Sequence, residues 1–172
     1  MGDWAGVSEV DSAQTLRFFF ERLQDEVPEE VPWKETAYVA AILAHYAQTP
    51  RYNPAFMSPS GSLHEILDNF VLPELTAEGS LGLQDSEILE VAGSHTLLLA
   101  GFFRDHMERR HNLRFLDDLG CSFFLRASDR LREKKRADLL RRVARNFSLW
   151  TVSCCNLSRT LREERLLLRL DS

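Results

Sequence analysis

From Leu140 to Leu161 the large apolar residues recur at steps of three and four without a break: Leu140, Val143, Phe147, Trp150, Cys154, Leu157 and Leu161. A strand repeats every second residue, so this spacing can share one face only in a helix. Sustained over so many turns, it describes a seam packed lengthwise on its neighbours at about 20°. The same two steps govern the rest of the chain. Leu16, Phe19, Phe20, Leu23 and Val27 follow Asp11 and Ser12, either of which can cap a first helix. Pro28 and Pro32 stop it. A second helix is expected from about Trp33 to Gln48, with Tyr38, Ile42 and His45 in one row and Val39, Leu43 and Tyr46 in another.

Pro50, Pro54 and Pro59 forbid a continuous helix over 49–61. A third helix is expected to begin near Ser62 and to end or kink at Pro73. The fourth, over 86–110, contains the most apolar stretch of the chain, Leu97–Phe103. Gly93 and Gly101 lie inside it, each costing about 1 kcal/mol against alanine. Two such losses in one helix predict that a neighbouring backbone comes close. A fifth helix uses Leu116, Gly120, Phe123, Ala127 and Leu131, and the seam that begins at Leu140 is the sixth. No segment alternates like a strand. The expectation is an all-α, single-domain bundle of about six helices around a buried central helix at 86–110. Residues 1–10 read as a frayed N-terminus and 11–172 as one helical domain. At 44% hydrophobic and 27% charged, the composition is that of a globular protein and excludes wholesale disorder.

The net charge of −5 conceals an asymmetry. Residues 1–100 hold sixteen acids against four bases, and 101–172 hold seventeen bases against ten acids. An acidic half folding against a basic half accounts for this without a polynucleotide partner. In the densest basic stretch, Arg126–Arg145, the bases alternate with Asp129, Glu133 and Asp138, while Phe123, Phe124 and Phe147 fall on core faces. Single-strand readers place aromatics among the bases, so nucleic acid is not the expected partner. The first residues lack the basic and apolar regions of a signal peptide, and Gly6 stands where a myristoylation site needs Ser or Thr. The longest apolar stretch is far short of the roughly 20 residues that span a bilayer. Cys121, Cys154 and Cys155 have neither disulfide-framework nor zinc spacing. A cytoplasmic location with no membrane partner is the expectation.

Catalytic signatures are missing: there is no Gly-x-Ser-x-Gly elbow and no phosphate-cradling glycine loop. Glu108-x-x-His111 has the spacing of carboxylate-bridged di-iron bundles, but those need a second such pair. No metal site, cofactor or catalytic residue is therefore assigned. The candidate ligand-binding residues are His95, Ser94, His45 and His106. His95 follows Ser94 inside the most apolar helix, where a polar group must find a partner. His106 falls on the same face about 16 Å along, and His45 lies in an apolar row of the second helix.

The segments Ala37-Tyr38-Val39-Ala40-Ala41-Ile42-Leu43-Ala44, Leu99-Ala100-Gly101-Phe102-Phe103, Leu116–Leu125 and Val143-Ala144-Arg145-Asn146-Phe147, in that order, resemble an uncharacterised family of bacterial all-helical proteins of unknown function. The resemblance implies the fold and no activity. The family's helix-four motif has a Gly-Asp pair, whereas here Gly93 is followed by Ser94, so no role for that acid transfers. The expected function is that of a non-enzymatic helical protein-interaction module, self-association included. The alternative is a small-molecule or metal-binding bundle with His95 in an interhelical pocket.

Overall fold

The computed structural model describes residues 12–48, 86–109 and 112–170, with side chains over 13–47, 86–109 and 112–164. The described residues are almost all helical and contain no strand. They fall into two compact units, Met1–Tyr52 and Asn53–Ser172. The expected frayed N-terminus, the proline-rich stretch, the third helix and His111 lie outside the described residues.

In the first unit, α1 (Ser12–Glu26) packs on α2 (Trp33–Gln48). The turn between them is built on its prolines. Val31 N–H donates to Pro28 O at 3.1 Å, and Pro32 O accepts from Glu35 N–H at 3.0 Å as α2 begins. Phe19 and Leu23 of α1 are buried, as are Val39, Ala40, Ile42, Leu43 and Ala44 of α2. Leu16, at the start of the expected α1 row, is exposed.

The second unit holds α3 (Ser86–Leu97), a π-helical turn (Leu98–Phe102), α4 (Arg104–Met107), α5 (Leu113–Arg130), α6 (Lys134–Arg145) and α7 (Phe147–Leu170). The expected central helix is thus a run of three pieces, and it is most deeply buried over 92–101. Leu89, Ala92, Leu97, Leu98, Leu99, Ala100 and Met107 are almost fully enclosed. Asn112 caps α5, its side-chain oxygen accepting from Arg114 N–H at 3.0 Å. The α3 helix packs on α5, with the Phe124 ring filling the space beside Gly93, and α5 turns back into α6. Phe124 and Phe147 meet at 6.2 Å between centroids. On the surface, Arg136 of α6 pairs with Glu90 of α3 at 2.7 Å, and Arg141 with Asp138 at 3.1 Å. Two bases of the Arg126–Arg145 stretch are therefore paired with acids.

The seam that reads as one helix is two. It breaks at Asn146, where the backbone opens to φ −97°, ψ 17°. Asparagine gives up helical geometry readily because its amide can bond the local backbone instead. The bonding ladder crosses the break, since Asn146 N–H still donates to Arg142 O and Trp150 N–H to Asn146 O, both at 3.0 Å. Register is kept as well: Leu140, Val143, Phe147, Trp150, Cys154 and Leu157 are all buried.

Candidate functional site

Gly101 is where the central run meets α7. A methyl group there would lie 2.9 Å from Cys154 Cβ and 3.2 Å from Thr151 Cα. The expected close approach is real, and at Gly101 it involves backbone; beside Gly93 the neighbour is the Phe124 side chain. At this contact the helix widens. Phe103 N–H reaches back five residues to Leu98 O at 3.0 Å, which makes the π turn. Arg104 donates from Nη1 to Ala100 O at 3.2 Å, bonding a carbonyl of the widened turn through a side chain.

Two consequences follow. Behind the turn, Arg104 also comes within 3.5 Å of Thr151 Oγ1, whose own hydroxyl donates to Ser148 O at 2.9 Å. Asp117 of α5 lies close by; burial pushes its carboxyl above the usual range, and the Arg104 charge partly offsets this. Its Oδ1 is buried without a hydrogen-bond partner among the described residues, and so, on α7, is Trp150 Nε1. In front of the turn, Phe102 and Phe103 stand side by side, half-buried and edge-to-face at 5.4 Å.

A cleft of about 370 Å³ opens there between the turn and α7. Phe102, Phe103 and Leu161 supply its apolar lining, and Asp105, Arg162 and Glu164 its charges, with His106 and Ser158 completing it. Its walls are tied together. Asp105 of α4 takes Arg159 through both oxygens, at 2.7 and 3.2 Å, and Arg162 at 2.5 Å. Arg162 Nε donates in addition to Ser158 O at 3.4 Å. Hydrogen bonds from Arg159 and then Arg162 hold the Asp105 carboxyl well below the ordinary carboxylate range. Such charge-assisted, bidentate bonds fix geometry as well as charge.

Of the four candidate residues, His106 lines this cleft and is exposed. His95 is half-buried on α3 and is not among the lining residues. Ser94 is buried, its hydroxyl donating to Glu90 O at 2.8 Å in its own helix. His45 belongs to the first unit, exposed and edge-on to Tyr46 at 5.5 Å. Among the described residues no group of three His, Cys, Asp or Glu side chains is placed to hold a metal ion, and no helix is long and apolar enough to cross a membrane.

Sequence reasoning missed Phe102, Phe103 and Leu161 as surface residues, because they sit on rows that read as core. It also missed Asp105, Arg159 and Arg162. Their one sequence signal is the pair of arginines three apart, on one face of a helix that is otherwise a core seam. No protein-family model matches the chain, and no curated protein or solved structure matches it either.

Proposed function

We propose that this chain is a helical protein-interaction module whose docking surface is the cleft between the π turn and α7. The observation that supports this is the combination of apolar lining and braced charged edge. Phe102, Phe103 and Leu161 offer contact area to a bulky aliphatic side chain, while the Asp105–Arg159–Arg162 cluster holds the two walls at a fixed separation. Apolar anchors in a groove with a polar rim are how helical segments are recognised. The volume, about 370 Å³, compares with the roughly 150 Å³ cavity that holds a benzene ring, so two or more side chains fit. The partner is a polypeptide presenting neighbouring aliphatic residues on one helical face.

A displayed library of amphipathic helices, panned on the full chain, tests this. Selected binders should lose at least tenfold in affinity when Phe102→Asp is introduced, with helicity and melting temperature retained. An empty selection, or binders indifferent to Phe102→Asp and Leu161→Asp, overturns the reading.

A further inference from the structure

The outer face of α6 carries charge left over from the ion pairs around it. Ala137, Leu140, Val143 and Ala144 bury the inner face. Opposite them, Lys135, Asp138, Arg142 and Arg145 follow one another at steps of three, four and three, all exposed, with Lys134 exposed beside the row. Arg141, at the edge of the row, is engaged by Asp138 at 3.1 Å and Asp129 at 3.8 Å, and Arg136 by Glu90 at 2.7 Å. Lys134, Lys135, Arg142 and Arg145 have no acid partner among the described residues. Nor does this charge serve α6 itself. Its first turn holds Lys134, Lys135 and Arg136 and no acid, and bases there oppose the helix dipole.

We infer that this face is a second docking surface, and that its partner is an acidic helix of another polypeptide. It shares no residue with the cleft and does not depend on the reading of the cleft. Three features favour this partner over other polyanions. The aromatics of the stretch, Phe123, Phe124 and Phe147, are buried, so none of these rings stands among the bases to stack on a single strand. The row holds no apolar residue to enter a bilayer. A phosphate backbone is negative at every step, whereas the row reads base, acid, base, base, and Asp138 would meet phosphate in the middle of it. A partner helix repeats at the same rise. Carboxylates spaced as Lys135, Arg142 and Arg145 are, over about 15 Å, can therefore each face a base. The position facing Asp138 then takes a base or a neutral residue, which makes the match one of pattern as well as of net charge.

The test uses the full chain and labelled alanine-rich helices that carry Glu-x-x-Lys-x-x-x-Glu-x-x-Glu in either sequence direction, read by fluorescence anisotropy at low salt, where exposed charge pairs are least screened. The better of the two should bind at least about tenfold more tightly than a scrambled peptide of the same composition. Lys135→Glu and Arg142→Glu should each weaken it about tenfold or more, a like-charge contact replacing an attractive one. Arg114→Glu makes the same change of charge at an exposed residue of α5 away from this row, and should alter binding by less than about twofold. Circular dichroism and the melting temperature check that each variant is folded, and Arg142→Gln, expected to weaken binding in the same direction, replaces a reversal that is not. A roughly 20-base-pair duplex and vesicles containing phosphatidylserine are the comparison probes, expected to bind more weakly than the ordered peptide. No binding of either peptide, equal binding of ordered and scrambled peptides, or binding indifferent to Lys135→Glu and Arg142→Glu overturns the inference. So does a duplex or vesicle that binds more tightly than the peptide through the same residues, since the face would then serve phosphate rather than carboxylate.

Discussion

Arg159 holds Asp105 through both carboxylate oxygens, Nη2 at 2.7 Å from Oδ1 and Nε at 3.2 Å from Oδ2, and so ties α7 to α4 across 54 residues of chain. Arg162, one turn further along, takes the second side of the same carboxylate. This is the brace of the cleft, and its electrostatics have a definite sign.

The Asp105 carboxyl is held well below its ordinary range by Arg159 first and Arg162 second. A depressed folded value means that the stabilisation is complete above the unfolded pKa, about 3.9, and is lost as pH falls from there toward the folded value. The stability gap between wild type and Asp105→Asn should therefore be flat from pH 7 to 5 and close below about pH 4. All three groups are partly solvated, so the melting temperature should fall by no more than roughly 4 °C. The gap should narrow further in 1 M salt. Calorimetry across pH checks this; a gap that widens in acid would contradict the brace.

Asp117, on the far side of the π turn, should behave in the opposite sense. Its carboxyl is raised, chiefly by burial, with Arg104 pulling it down and Asp118 pushing it up. The folded state thus binds this proton more readily than the unfolded chain. Stability from this group is present below about pH 3.9 and is lost as pH rises through the raised folded value. Asp117→Asn should be the more stable protein at pH 7, with its advantage gone near pH 3.5. Arg104→Met should cost more in the wild-type background than beside Asp117→Asn, with a coupling of about 0.5 kcal/mol or more in a double-mutant cycle. Urea denaturation of the four proteins measures it, and additivity would show that the two charges do not interact.

The helical class is plain in the sequence because burial imposes its period, and Leu140 to Leu157 keep that period even where the backbone breaks at Asn146. The break itself is hidden, since the seam steps by three and four across it as if nothing had happened. The close approach at Gly101 is also legible, because a glycine inside a helix needs a reason. The π turn is not. One inserted residue shifts the phase of whatever follows, and in Leu97–Phe103 every residue is apolar, so no polar residue marks the slip. Hence Phe102 and Phe103 read as core although they face a cleft. The brace was illegible for a different reason: Asp105 and its arginines are joined only by the fold, and local charge patterning says nothing of partners 54 and 57 residues away. His95 drew attention as a polar residue in an apolar helix, but the open surface lies one π turn further on.

The cysteines should sort by burial. Cys154 sits in the seam, and burial pushes its thiol up to about 12; Cys155 is also buried and raised, for the same first reason. Cys121 is half-exposed and raised by burial and by Asp118. A thiolate is the reactive species, so none should react as fast as a free thiol at pH 8. A chromogenic disulfide reagent should label one site per chain slowly, with the label mapping to Cys121, and three sites after denaturation. Rapid labelling of Cys154 in the native protein would mean that α7 separates from the π turn far more often than its packing implies.

Gly101 carries the sharpest stability test, because what its missing side chain admits is backbone. An alanine Cβ would stand 2.9 Å from Cys154 Cβ, 3.2 Å from Thr151 Cα and 3.3 Å from Thr151 O, and none of these can rotate away. The whole of α7 must shift, and with it the cleft wall that carries Leu161 and Arg162. Overpacking of this kind costs about 1–3 kcal/mol, against a gain of about 1 kcal/mol in helix propensity, so Gly101→Ala should lose up to about 2 kcal/mol. Gly93 is the control. Its alanine would meet only the Phe124 ring, at 3.0 to 3.1 Å, which can tilt by a few tenths of an ångström. There the propensity gain offsets the crowding, and Gly93→Ala should stay within about 1 kcal/mol of wild type. If α7 moves, the Asp105 brace is strained with it. Asp105→Asn should then cost less in the Gly101→Ala background than in wild type. Urea denaturation of the two alanine variants decides the matter: a Gly101→Ala protein as stable as Gly93→Ala would mean that α7 does not press on the π turn as closely as these distances state.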